Sequence, residues 1–220
     1  MAIWHTTQTN VEQCLATLFE KWVPEALSRE ALLQLIVNVA DIDQGAFRNG
    51  PMALLNIGLE SAHDLDDVPE RDLLHAIASR LEVWRVATLC PKQYVRDWPD
   101  ATVSRGIKMI SLMQRASDIS HAQFVQHWTQ RHAPLALQHH VGLWNYRQNV
   151  VRRAYTPGGR AVDGIAELHF ETRDDYDTKF FDDDAGRAII FEDIPKFMRL
   201  DASQTALMTE YIFRTAANVG

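Results

Sequence analysis

The sequence predicts an α+β fold made of two halves, each ordered β-α-β-β-α-β. Three observations predict it. Periodicity breaks around Pro91–Arg105, where Pro91, Trp98-Pro99-Asp100 and Ser104 interrupt every regular pattern. The same succession of strand-like and helix-like segments lies on each side of that break. With 220 residues, 46% of them hydrophobic, the chain can bury a core in one or two compact units.

In the first half, Ala2–Thr7 reads as a short strand, the weakest of the set. Val11, Leu15, Leu18, Phe19 and Trp22 recur at helical spacing behind Asn10, an N-cap residue type. Leu32–Val39 and Met52–Leu59 read as strands, separated by Gly45 and Asn49-Gly50-Pro51. Glu70–Arg80 reads as a helix opened by Val68-Pro69, and Leu81–Leu89 as the closing strand.

In the second half, Ile107–Gln114 is a strand and Ser120–His132 a helix. Leu143–Val151 and Gly164–Phe170 are strands on either side of a Thr156-Pro157-Gly158-Gly159 turn. Helical pieces follow near Asp174–Phe180 and Ala185–Phe197, and Leu207–Arg214 closes the set. This is the split βαβ, ferredoxin-like arrangement, an antiparallel sheet with helices on one face. The other face needs a partner. Residues 1–95 and 105–220 are therefore expected to be two halves that close into an α+β barrel, with helices outside. Two independent domains, or a dimer of second halves, are the alternatives.

Composition narrows the function. The net charge of −7 argues against a phosphate-binding nucleic-acid protein and against anionic membranes. Cys14 and Cys90 are too few for a disulfide scaffold, and no CxxC pair offers a zinc or redox site. Met1–His5 lacks the basic and apolar regions of a secretory signal, and no apolar run is long enough to span a bilayer. The expectation is a cytoplasmic protein with reduced thiols. No phosphate-binding glycine loop, nucleophile motif or dinucleotide fingerprint is present.

The most informative stretch is Ser120–Ala136. Ser120 and Gln123 have capping-box spacing, and Ile119 and Phe124 hold the hydrophobic-staple positions around that cap. Phe124 and Trp128 share a face. Pro134 disfavours helical geometry at Ala133, so the helix is expected to end at His132, where its dipole favours imidazolium. His127 lies five residues from His132, roughly 140° around an α-helix, so the two are not expected to share a face.

This stretch resembles the signature of the EthD family: a helix with an aromatic–tryptophan pair, here Phe124 and Trp128, followed by His132-Ala133-Pro134-Leu135-Ala136. Leu143–Val150 resembles the family's second strand, Asp163–Phe170 its third and Ala185–Ala188 its late helical piece. The resemblance covers about residues 105–215 and implies a dimeric α+β barrel. Relatives of this fold include polyketide cyclases, muconolactone isomerases, cofactor-free monooxygenases and haem proteins, so the fold leaves the chemistry open.

Candidate site residues follow from strand alternation. In Gly164–Phe170, Ile165, Glu167 and His169 share a face, and a carboxylate beside an imidazole suits acid/base work. In the preceding strand, Trp144, Tyr146, Gln148 and Val150 share a face able to line a pocket, with the Tyr146 hydroxyl as donor. The expected catalytic residues are His132, Tyr146, Glu167 and His169. Trp128, His127, Trp144 and Gln148 are expected to contact substrate. Each also has a purely structural reading, as a helix cap, packed aromatic or solvated side chain. No metal spacing is present: His139-His140 are adjacent, and Asp182-Asp183-Asp184 reads as a helix start.

The leading expectation is a cofactor-independent lyase, dehydratase, isomerase or cyclase acting on a small hydrophobic, aromatic or polyketide-like molecule. The alternatives are a non-catalytic accessory protein of oxidative degradation and a haem-dependent enzyme. No nucleic-acid or membrane partner is expected. The pocket is expected between the sheet and the Ser120–His132 helix, in the second half only, because the first half has Lys21-Trp22-Val23-Pro24 at the corresponding place. A homodimer beyond the internal pairing is left open. As a test of the cap, Ser120→Ala should lower stability by about 1 kcal/mol. An unchanged chemical-denaturation midpoint would show that Ser120 does not cap the helix.

Overall fold

The structure, a computed structural model, describes residues 1–4, 11–41, 51–60 and 71–215. The expected Asn10 cap, Gly45 and Asn49-Gly50 of the loop, and the Val68-Pro69 helix opening lie outside the described residues. In the first half, β1 (Ala2–Trp4) precedes α1 (Val11–Thr17), a π turn (Leu18–Trp22) and α2 (Val23–Leu27). Then come β2 (Leu32–Ala40), β3 (Ala53–Leu59), α3 (Arg71–Ile77), β4 (Arg80–Glu82) and β5 (Trp84–Lys92). The short β6 (Thr102–Val103) leads to β7 (Ile107–Met113), α4 (His121–His127), a π turn (Trp128–His132) and α5 (Ala133–His139). β8 (Leu143–Ala154), β9 (Gly164–Phe170), α6 (Arg173–Thr178), α7 (Asp184–Asp193), a 3-10 turn (Ile194–Lys196) and β10 (Gln204–Arg214) complete the fold.

One antiparallel sheet carries these strands in the order β4-β1-β3-β2-β10-β7-β9-β8-β5. Two ferredoxin-like quartets, β4-β1-β3-β2 and β10-β7-β9-β8, meet where β2 pairs with β10. The far ends of this order, β4 and β5, are separated in the chain only by Val83. β4 pairs with β1 and β5 with β8, so one bent strand closes the sheet into an α+β barrel. The expected Leu81–Leu89 strand is therefore two segments serving different quartets. Pro91, expected to break the pattern, lies inside β5, where the pairing shifts register between Leu89 and Lys92, so its missing N–H falls at a bulge.

Strand alternation explains three cores. Outward residues of each quartet pack beneath their own helices: Leu35, Val37 and Leu55 with Trp22 and Leu74, and Ala166, Leu168 and Phe170 with Phe124 and Trp128. Inward residues Leu54, Trp84, Ile110, Leu112, Ile165 and Met208 form a third cluster inside the barrel.

The capping box at α4 is present: the Gln123 N–H donates to Ser120 Oγ (3.3 Å), and Gln123 Oε1 accepts the Ser120 N–H (2.8 Å). The helix does not end at His132. It passes through a π turn in which the Ala133 N–H reaches the Trp128 carbonyl, then continues to His139. Pro134 falls in the first turn of α5, where a missing N–H costs nothing. The first half repeats the device, with the Val23 N–H on the Leu18 carbonyl and Pro24 following. Its helix therefore runs past the expected end at Trp22 to Leu27.

Closure by strand pairing predicts that the halves are inseparable under native conditions. Cutting the 93–101 connector with protease should leave both fragments co-eluting in size-exclusion chromatography. Separate elution of folded halves would contradict the barrel.

Candidate functional site

The residues singled out in the sequence fall on opposite faces of the sheet. His132, His127, Trp128, Tyr146 and Gln148 lie on the outer, helix-covered face, whereas Glu167, His169 and Trp144 face the barrel interior. The four expected catalytic residues do not converge.

On the outer face, the π turn corrects the expectation for the two histidines. A hydrogen bond from residue i to i−5 brings residues five apart over one another. His127 Nε2 and His132 Nδ1 thus both donate to Asp193 of α7, at 2.9 and 3.0 Å. Burial lowers the pKa of His132, against the opposing effect of its bond to Asp193. Tyr146 is fully buried, and its hydroxyl accepts from Trp128 Nε1 and Gln148 Nε2, both at 3.0 Å. Burial pushes that hydroxyl up to about 12. At the place expected for the pocket, helix and sheet pack closely around Gly164. A Cβ placed on Gly164 of β9 would meet the Trp128 ring at 2.6 Å and the Phe124 ring at 3.0 Å. In the first half the same π-turn position is held by Trp22, fully buried in that half's core.

Trp144 is not on the face of Tyr146, because the pairing of β8 with β9 shifts register between Leu143 and Asn145. The extra residue turns its indole to the barrel mouth, where it stacks on Tyr94 (4.5 Å) and meets the edge of His169 (5.6 Å). His169 Nε2 donates to the Arg105 carbonyl (2.7 Å). Of the other residues noted in the sequence, His139 ends α5 with Nδ1 on Asp182 (2.8 Å), and Asp183 caps α7 through the Gly186 N–H (2.7 Å).

Glu167 does share the inner face with His169, but it belongs to a buried ionic network. Lys108 Nζ donates to Glu167 Oε2 (2.9 Å) and to Glu210. Asn56 and Asn149 each donate to Glu167 Oε1 at 2.7 Å, and the Tyr94 hydroxyl donates to Glu210 Oε1 at 3.0 Å. Burial opposes ionisation of Glu167, yet Lys108, Arg147 and these donors outweigh it and hold the carboxyl below its ordinary range. So saturated a carboxylate is a poor base.

Beside this network lies a cavity of about 310 Å³, where the bent β4–β5 strand passes from β1 to β8. Leu54, Trp84, Val86 and Ile165 give it apolar walls, and Asn56, Thr88, Arg147, Asn149 and Tyr155 its polar groups. This is the character of a small-ligand site, apolar with a few convergent polar groups. Tyr155, Asn56 and Thr88 were not among the sequence candidates. Asn56 of β3, Thr88 of β5 and Tyr155 after β8 come from segments far apart in the chain, so no local spacing groups them. Among the described residues, the cavity wall offers no imidazole or thiolate to a haem iron, and Tyr155 is its one phenol. Among the described residues, no group of three or more His, Cys, Asp or Glu side chains has metal-site geometry, and no helix is long and apolar enough to cross a membrane.

Fold and cavity together define the class: an internally paired α+β barrel with a small-molecule-sized chamber. Residues 116–201, within the second half, match the family model of the EthD domain. No curated protein matches the chain. Among solved structures, it is similar to that of an anthrone oxidase-like protein, with a TM-score of 0.62 and 12% identity over 100% of this chain and 93% of the other. A protein from Lactobacillus acidophilus NCFM described as a candidate monooxygenase gives a TM-score of 0.45 and 10% identity, over 94% of this chain and 88% of that one.

The burial of imidazoles sets an acid limit on the fold. Burial lowers both His140 and His169 from 6.5 to about 4. Between those values the unfolded chain binds protons that the folded chain does not, so stability rises with pH there. Through the histidines, stability should fall from about pH 6.5 toward pH 4, and it should fall again below about 4.5 as Glu210, held at about 2 by Lys108 against its burial, takes a proton. Urea midpoints across this range would check it, and His140→Gln should flatten the upper slope.

Proposed function

We propose that the protein is a small-molecule enzyme whose compact, largely apolar substrate, aromatic or polyketide-like, occupies the barrel cavity. Its chemistry is proton transfer without a bound cofactor: elimination, dehydration, isomerisation or cyclisation. The observation that carries this reading is the roughly 310 Å³ chamber with apolar walls and clustered polar groups. The EthD match and the likeness to a protein named for anthrone oxidation are consistent with a small aromatic substrate. Tyr155 takes the donor role expected of Tyr146: it lines the chamber, and its hydroxyl has no hydrogen bond among the described residues. Glu167 is then a positioning residue, holding Asn56 and Asn149 at the wall.

A second reading places acid/base chemistry at His132, with Trp128 and His127 beside it. It is favoured by the His132–Asp193 hydrogen bond, a carboxylate orienting an imidazole. The two readings separate by mutation. Val86→Trp, which fills the chamber, should abolish substrate binding with melting little changed, and Tyr155→Phe should lower kcat by roughly 10²-fold or more. His132→Ala should leave turnover near normal but destabilise the fold by about 1–3 kcal/mol, through loss of a buried hydrogen bond. Loss of turnover in His132→Ala alone would establish the second reading. Binding without turnover on any tested substrate would instead make the protein an accessory binding protein.

A further inference from the structure

Arg147 projects from the middle of β8 into the barrel and lines the chamber. It is mostly buried, and its Nε is closed off from solvent with no partner. No hydrogen bond and no ion pair reaches its guanidinium among the described residues. Five N–H donors in a rigid planar fork are thus left open in a low-dielectric site, where unpaired polar groups are costly. The two nearby carboxylates do not supply the missing acceptors. Glu167 is taken by Lys108, Asn56 and Asn149, and Glu210 by Lys108 and Tyr94. Asn149, the neighbouring polar wall residue, is itself occupied, donating to Glu167 and accepting from the Thr88 hydroxyl (2.7 Å). Among the described lining residues, Arg147 is therefore the guanidinium that faces inward with its donors free, whereas Arg85, the other arginine of the lining, is exposed to solvent.

A planar guanidinium edge matches a carboxylate through two parallel N–H···O bonds. We propose that the chamber binds a small monocarboxylic acid. Its carboxylate pairs with Arg147, and its apolar or aromatic body lies against Leu54, Trp84, Val86 and Ile165. This deepens the reading of the chamber as the substrate site and rests on it. A monoanion suits the site better than a dianion: Glu167 and Glu210 set two negative charges against the one of Lys108, so a second ligand carboxylate would add to the surplus of negative charge beside Arg147.

The test compares benzoate, benzamide and acetophenone by isothermal titration calorimetry on the intact chain. Benzoate should bind roughly tenfold or more tightly than benzamide, since a charge-assisted pair replaces a neutral contact. Arg147→Met should remove that preference, and Arg147→Lys, which keeps the charge but not the fork, should restore it only in part. As a readout that needs no folded Arg147→Met, the Arg147 Nε–H signal of ¹⁵N-labelled wild-type protein, assigned by its absence from Arg147→Lys, should move with benzoate and stay in place with benzamide. Equal binding of benzoate and benzamide, with the Nε–H signal unmoved, overturns the carboxylate assignment. If in that case Val86→Trp abolishes acetophenone binding, the chamber stands as the substrate site. If Val86→Trp leaves acetophenone binding intact, the chamber reading falls with it.

Discussion

The barrel depends on the Lys108 ammonium held between Glu167 and Glu210. The three residues stand on the neighbouring strands β7, β9 and β10, all pointing inward. None is exposed to solvent by more than a few per cent. Ions in such a place are tolerated only when every lone pair and proton has a partner, and removing one partner leaves an uncompensated charge. Asn149 of the same quartet supplies one further partner, and the others come from elsewhere: Asn56 from the first half, and Tyr94 from the connector. The second quartet therefore cannot satisfy its own interior. Its inner face is built to be closed by the rest of the chain, which is the physical reason an internal barrel forms.

The same network organises the chamber by what it leaves out. Glu167 and Glu210 take their close contacts from Lys108, Asn56, Asn149 and Tyr94, so Arg147 on the adjacent strand is left without a hydrogen bond to either. The β4–β5 strand must serve both quartets, and the cavity lies where it crosses from β1 to β8. A guanidinium without acceptors and that cavity coincide there. On the outer face the opposite holds. Trp128 is packed so closely on Gly164 that helix and sheet leave no room, and the Tyr146 hydroxyl is consumed by the indole and amide beside it.

The paired π turns tie the halves together as a structural repeat. Leu18–Trp22 and Trp128–His132 each precede a proline by one residue, and each lets the helix continue where an α-helical ladder would lack a donor. The outward consequences differ. Trp22 fills a hydrophobic core, whereas His132 joins His127 on Asp193. One backbone device thus supports plain packing in one half and a histidine–carboxylate cluster in the other.

Much of the fold was written locally. The order of elements, the Ser120–Gln123 capping box, the span of β9 and the division of its side chains into Ala166, Leu168, Phe170 outside and Glu167, His169 inside follow from periodicity, cap chemistry and strand pleat, which act over a few residues. The position of the site did not. One extra residue at Trp144 reverses a face, an i to i−5 hydrogen bond brings His127 and His132 together, and a single residue at Val83 sends a strand across the barrel. Whether Glu167 acts as a base or as half of an ion pair depends on Lys108, 59 positions away in the chain. Residue types and spacing determined which groups were available. Which of them are satisfied and which face open space was decided by strand pairing between distant segments, because hydrogen-bond saturation in a closed interior is a property of the assembled barrel.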